Sequence, residues 1–198
     1  MTRRKNKERA ETMAGNRSNS RRQSAKIAFC GLISALAVVL MLSGGLIPVA
    51  TYCAPMASAI LLLPVLIEYG KKAAWTSYAA VSLIVLLLGV DKEAAFFYLF
   101  LGYYPVLKWE IEKVRKKPLR MLLKLIVFNV SIAVMYAVMG FVLNMDALVA
   151  EFTQMGAFLL ALFAVLLNLS LLLYDRLLLA MLFLYANKLR PRLKSILS

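Results

Sequence analysis

The amino-acid sequence predicts an all-α integral membrane fold, a six-transmembrane-helix bundle with both termini in the cytoplasm, and three observations lead there. Of 198 residues, 62% are hydrophobic and 17% charged. A soluble domain averages about 45–50% and about 25%, so a soluble fold of this length would have to hide nearly every side chain it owns. The apolar residues form long runs between short polar breaks, and crossing a bilayer takes about 20 apolar residues at 1.5 Å rise. Finally, 24 Lys and Arg give a formal net charge of +14, gathered in alternate breaks in the manner that sets membrane orientation.

Residues 1–26, MTRRKNKERAETMAGNRSNSRRQSAK, are basic and poor in apolar side chains. They bury too little surface to offset ordering and are expected to form a disordered cytoplasmic tail. The membrane domain, 27–187, opens with a span at Ile27–Leu42, where Gly31 and Ala35 sit one turn apart with Ala28 and Ser34 nearby. Small residues on one face let another helix approach closely, within the bundle or on a partner subunit. A Gly- and Pro-rich break, Ser43–Val49, precedes the second span, Ala50–Ile67, which ends at EYGKK. The third, Ala73–Val90, and the aromatic-rich fourth, Ala94–Leu107, flank Asp91–Glu93; KWEIEKVRKKPLR then leads to the fifth, Met121–Leu143. Asn144–Glu151 separates it from the sixth, Phe152–Leu173, and residues 188–198 form a basic cytoplasmic segment. With the tail inside, Lys92 is the one cation of the 24 that falls in an outer loop. Adding or removing one span would scatter the cations over both sides.

The adjacent Asp175 and Arg176 interrupt the last apolar run. Roughly 22 residues after Phe152 the helix has advanced about 33 Å, so the pair is read as the inner membrane boundary, with Arg176 reaching toward headgroups. An ionised pair at mid-bilayer would be costly.

Candidate functional residues lie elsewhere. Asn129 and Asn168 fall within the fifth and sixth spans, where an amide needs a partner: either an interhelical hydrogen bond or a ligand in a cavity. The outer breaks bring Asp91, Asp146, Glu151 and Gln154 near Phe96, Phe97 and Tyr98, with Tyr103 and Tyr104 farther in. Rings with a few polar groups suit either an interfacial belt or a flat heterocyclic ligand. The chain has no histidine and two cysteines, Cys30 and Cys53. No metal site, cofactor or histidine-based acid–base catalysis is therefore expected, and the chain is not read as an enzyme. No phosphate-cradling loop is present. The basic charge is assigned to the membrane surface; nucleic acid is not an expected partner.

The basic N-terminus, the run KIAFCGLISALAVVLML, the Gly/Pro outer loop and six spans in under 200 residues resemble the S components of energy-coupling-factor transporters. The likeness extends from about Lys26 to Tyr185. It implies a subunit of the bacterial plasma membrane that captures a vitamin-like small molecule from outside. It also implies docking, through Gly31 and Ala35, on a transmembrane T subunit served by two cytoplasmic ATPases. The same resemblance nominates Gly45, Asp91, Tyr98, Asn129, Asn144 and Asn168 for the solute. The alternative is a non-transport scaffold of the cell envelope resembling the rod-shape proteins, with a filled interior and no ligand cavity.

Overall fold

A computed structural model describes residues 2–44, 50–88, 91–141 and 156–191, and every regular element among them is helical. In chain order these are α1 (Thr2–Gly44), α2 (Ala50–Ile60), α3 (Leu62–Leu88), α4 (Lys92–Leu101), α5 (Tyr104–Ile111), α6 (Lys117–Phe141) and α7 (Ala157–Leu184), the last passing into a π turn, Tyr185–Leu189. Among the described residues four segments are long and apolar enough to cross a membrane by length and composition: Ser20–Gly44, Leu62–Leu88 (with a break at Gly70 inside it), Lys117–Gly140 and Phe158–Leu189. By length and composition this is a membrane protein.

α1 differs from expectation. Its backbone is helical from Thr2, where low apolar content predicted a disordered tail. Lys, Arg, Glu and Ala are good helix formers, and a segment adjoining a helix that has already nucleated needs only to propagate it. Scarcity of apolar residues decides whether a segment is buried; it does not forbid a helix.

Two glycines shape the middle of the chain. Gly70 interrupts α3 with φ 78° and ψ −178°, a region open almost only to glycine. The chain doubles back there, so that Val65 and Leu66 pack on Ala73 and Ala74. This reversal coincides with the break expected between the second and third spans. At Gly102 the expected fourth span divides into α4 and α5. The Gly102 N–H donates to the Tyr98 carbonyl at 2.7 Å, and a Cβ at Gly102 would lie 2.5 Å from that oxygen and 3.0 Å from the Tyr98 ring. Pro105 then opens α5, where its missing N–H is harmless.

Buried contacts give the direction of each segment. Phe29, Cys30 and Ile33 share a cluster with Val65, Leu66, Ala73, Ala74 and Val106. One to two turns farther along α1, Ala37 and Met41 meet Ala59, Val81, Val85, Ala95 and Tyr98. Hence α1 and the second half of α3 run together, while 59–66 and 95–106 run the opposite way. Asn129 meets Asn168 and Lys124 meets Asp175, so α6 and α7 are antiparallel. Tyr174 donates to the Met56 carbonyl at 3.2 Å and Arg190 reaches Glu68 at 2.9 Å, so α7 runs with the α2 direction. A third cluster, including Leu63, Phe97, Leu101, Phe128, Met135 and Leu171, joins the two halves of the bundle.

Candidate functional site

Among the described residues the densest polar constellation is assembled where α5, α6 and α7 meet. α7 supplies Asp175, whose side chain is 16% exposed; α5 supplies Lys108 in its last turn, 6% exposed; α6 supplies Lys124, 12% exposed. Lys108 Nζ lies 2.7 Å from Asp175 Oδ1 and donates to the Asp175 carbonyl at 2.6 Å. Lys124 Nζ donates to both carboxylate oxygens at 2.9 Å. The Tyr104 hydroxyl donates to Oδ1 at 2.9 Å. Glu112 completes the group, with Oε1 3.7 Å from Lys108 and 3.5 Å from Lys124. Two ammonium groups removed from water are each held by a carboxylate and further hydrogen bonds, the condition under which buried charges are tolerated.

Asp175 and Arg176 are therefore not a pair. Successive helical residues point about 100° apart; Asp175 faces the bundle while Arg176 is exposed. The aspartate, read from the sequence as a boundary marker, is the centre of a clasp across three helices. Lys124 carried the missed signal: a lone lysine seven residues into α6, amid an apolar run, needs an acid somewhere. Its partner is 51 residues away.

Among the nominated outer-side residues that are described, Asp91 and Tyr98 occupy separate settings. Gly45 and Asn144 lie outside the described residues. Asp91 caps α4, its Oδ1 accepting from the Ala94 N–H at 3.0 Å, as an Asp at an N-cap ordinarily does. Tyr98 is fully buried against Val81, Val85 and Ala37, and its hydroxyl has no hydrogen-bond partner among the described residues. Asn129 and Asn168 do come together. The Asn129 amide donates to Asn168 Oδ1 at 2.8 Å, the return bond is 3.3 Å, and each amide also donates to a carbonyl of its own helix. The geometry is that of an interhelical lock. Asn129→Leu should lower stability by about 0.6–2 kcal/mol, with much of the loss recovered in Asn129→Leu/Asn168→Leu; unfolding midpoints in detergent would measure both.

The aromatic residues of the fourth span disperse over separate helix contacts. Tyr52 meets Phe97, Tyr78 meets Tyr98, Trp75 stacks on Tyr103, and Tyr104 meets Tyr174. Between α2, α4, α5, α6 and α7 they leave a void of about 10 Å³, bounded by Met56, Leu101, Phe128 and Tyr174. That is about the space of one water molecule.

Gly31 and Ala35 are exposed on α1, and nothing lies within 4 Å of a Cβ added at Gly31. With Ser34, Ala73, Thr76 and Ala80 they line an open groove of about 570 Å³ between α1 and α3. Among the described residues no cluster of three His, Cys, Asp or Glu side chains has the arrangement of a metal site. Comparison with protein-family models, curated proteins and solved structures finds no match to this chain.

Proposed function

We propose that this chain is the substrate-capture subunit of an energy-coupled uptake system in a bacterial plasma membrane. In this reading six passes leave both termini in the cytoplasm. Alternating segment directions support that path. Charge supports its orientation: Lys71, Glu110, Lys113, Glu68 and Arg190 make ion pairs at one end, whereas Tyr52 bonds Glu93 at 2.5 Å near Lys92 at the other. A vitamin-like solute would enter from the Lys92 end.

The single observation that carries the subunit reading is the open small-residue groove along α1 and α3. In lipid, helices associate by close packing, and faces of Gly, Ala, Ser and Thr permit the shortest approach. A helix of a transmembrane partner would lie against Gly31, Ser34 and Ala35. Gly31→Leu should abolish recovery of that partner from membranes while leaving solute binding by the purified chain intact. Unchanged recovery would remove the docking role.

A second reading, a non-transport envelope scaffold, draws on the interior void of about 10 Å³ and the mutual satisfaction of Asn129 and Asn168. It predicts that no vitamin in a panel shifts the unfolding midpoint of the purified chain. A bound ligand would stabilise by mass action, so a saturable rise with one compound favours capture.

A further inference from the structure

We propose that the basic groove where α5, α6 and α7 meet binds the headgroup of an anionic phospholipid. The groove has a volume of about 530 Å³, and four basic side chains, Lys117, Arg120, Lys124 and Arg176, line it together with two carboxylates, Glu112 and Asp175. The carboxylates are already committed. Asp175 holds Lys108 and Lys124, and Glu112 lies beside the same two lysines. Lys117, Arg120 and Arg176 have no ion-pair partner among the described residues.

The position of these cations strengthens the case. α6 starts at Lys117 and has no acidic residue in its first turn. The amide dipoles make that end of the helix positive, so acids are favoured there and cations disfavoured. Lys117, Arg120 and Lys124 nonetheless occupy its first two turns, along one face. Lys124 is paired with Asp175, but Lys117 and Arg120, together with Arg176, leave the groove with positive charge that no described side chain balances.

The remaining walls identify the kind of anion. Met121 and Leu172 are 49% and 39% exposed and line the same groove as Leu125 and Leu179. These four side chains form an apolar wall beside the basic ones. Free phosphate would have no use for it, whereas acyl chains would lie along it with the phosphate held at the basic end. Basic pockets between helices on the cytoplasmic side suit anionic headgroups, at roughly 1 kcal/mol, or about fivefold, per cation. The inference rests on the membrane-spanning reading and is independent of transport.

The test uses the full chain in nanodiscs of equal phosphatidylglycerol and phosphatidylcholine, released into detergent and weighed by native mass spectrometry. Wild-type protein should retain phosphatidylglycerol in preference. The triple variant Lys117→Gln/Arg120→Gln/Arg176→Gln should lose the preference, and Arg176→Gln alone, a surface change that should not disturb folding, should weaken it about fivefold. Millimolar inorganic phosphate should not displace the lipid. Equal retention of both lipids by wild type, a preference untouched in every variant, or displacement by inorganic phosphate would each overturn the proposal. Retention of neither lipid would count against the membrane reading as well, which separates the two failures.

Discussion

Asp175→Ala is expected to lower folding stability by about 3–5 kcal/mol, because it takes the nearest counter-charge from two buried ammonium groups and leaves them only Glu112, at 3.7 and 3.5 Å. Lys108 and Lys124 are 6% and 12% exposed, so solvent can screen little of the loss. Tyr104 would also lose the acceptor it reaches at 2.9 Å. The unfolding midpoint in detergent reads the effect. The account makes a further demand on the same measurement: Asp175→Leu/Lys108→Met/Lys124→Met should recover much of the stability, since removing a whole buried ionic group is far milder than removing one partner. A midpoint unmoved by Asp175→Ala would mean that the clasp does not hold α5, α6 and α7 together.

Gly70→Val carries the second large effect. With φ 78° and ψ −178°, the position lies where a β-branched residue is strained by about 1–3 kcal/mol. Space is not the obstacle, for no atom lies within 4 Å of an added Cβ. The loss should therefore track backbone preference: Gly70→Ala should destabilise, Gly70→Val at least as much, and neither should be rescued by trimming neighbouring side chains. The structural consequence would appear at the reversal itself, where Val65 and Leu66 meet Ala73 and Ala74. Equal stability of Gly70→Val and wild type would contradict the turn.

The helical fold was legible because membrane burial is written in consecutive residues. The apolar runs lie in helices, the break at EYGKK is the Gly70 reversal, and α7 continues beyond Asp175 as its apolar sequence implies. Helix ends were less legible. The fourth span stops and restarts at Gly102, where a Cβ would press on the Tyr98 carbonyl and ring, a contact that periodicity does not encode. The basic tail has a helical backbone from Thr2, which a scarcity of apolar residues does not forbid.

The site residues divide along the same physical line. Asn129 and Asn168 each show in the sequence the need for a partner, since lipid offers an amide neither donor nor acceptor; that they meet one another depends on how α6 and α7 dock. The Asp175 clasp could not be drawn from local pattern, because Lys108 is 67 residues away and Lys124 is 51. Their charges were visible; their juxtaposition depends on how three helices dock. The resemblance nominates Tyr98 for a solute, and its ring packs against Tyr78 and Val81.

Orientation is the claim on which the proposed solute entry and docking depend, and cysteine accessibility tests it most directly. In a Cys30→Ser/Cys53→Ser background, Lys92→Cys and Lys116→Cys place single thiols at exposed positions on opposite ends of the bundle. A membrane-impermeant maleimide should label Lys92→Cys in intact bacterial cells, and Lys116→Cys only after the membrane is opened. Labelling of Lys116→Cys in intact cells, with Lys92→Cys protected, would contradict the account.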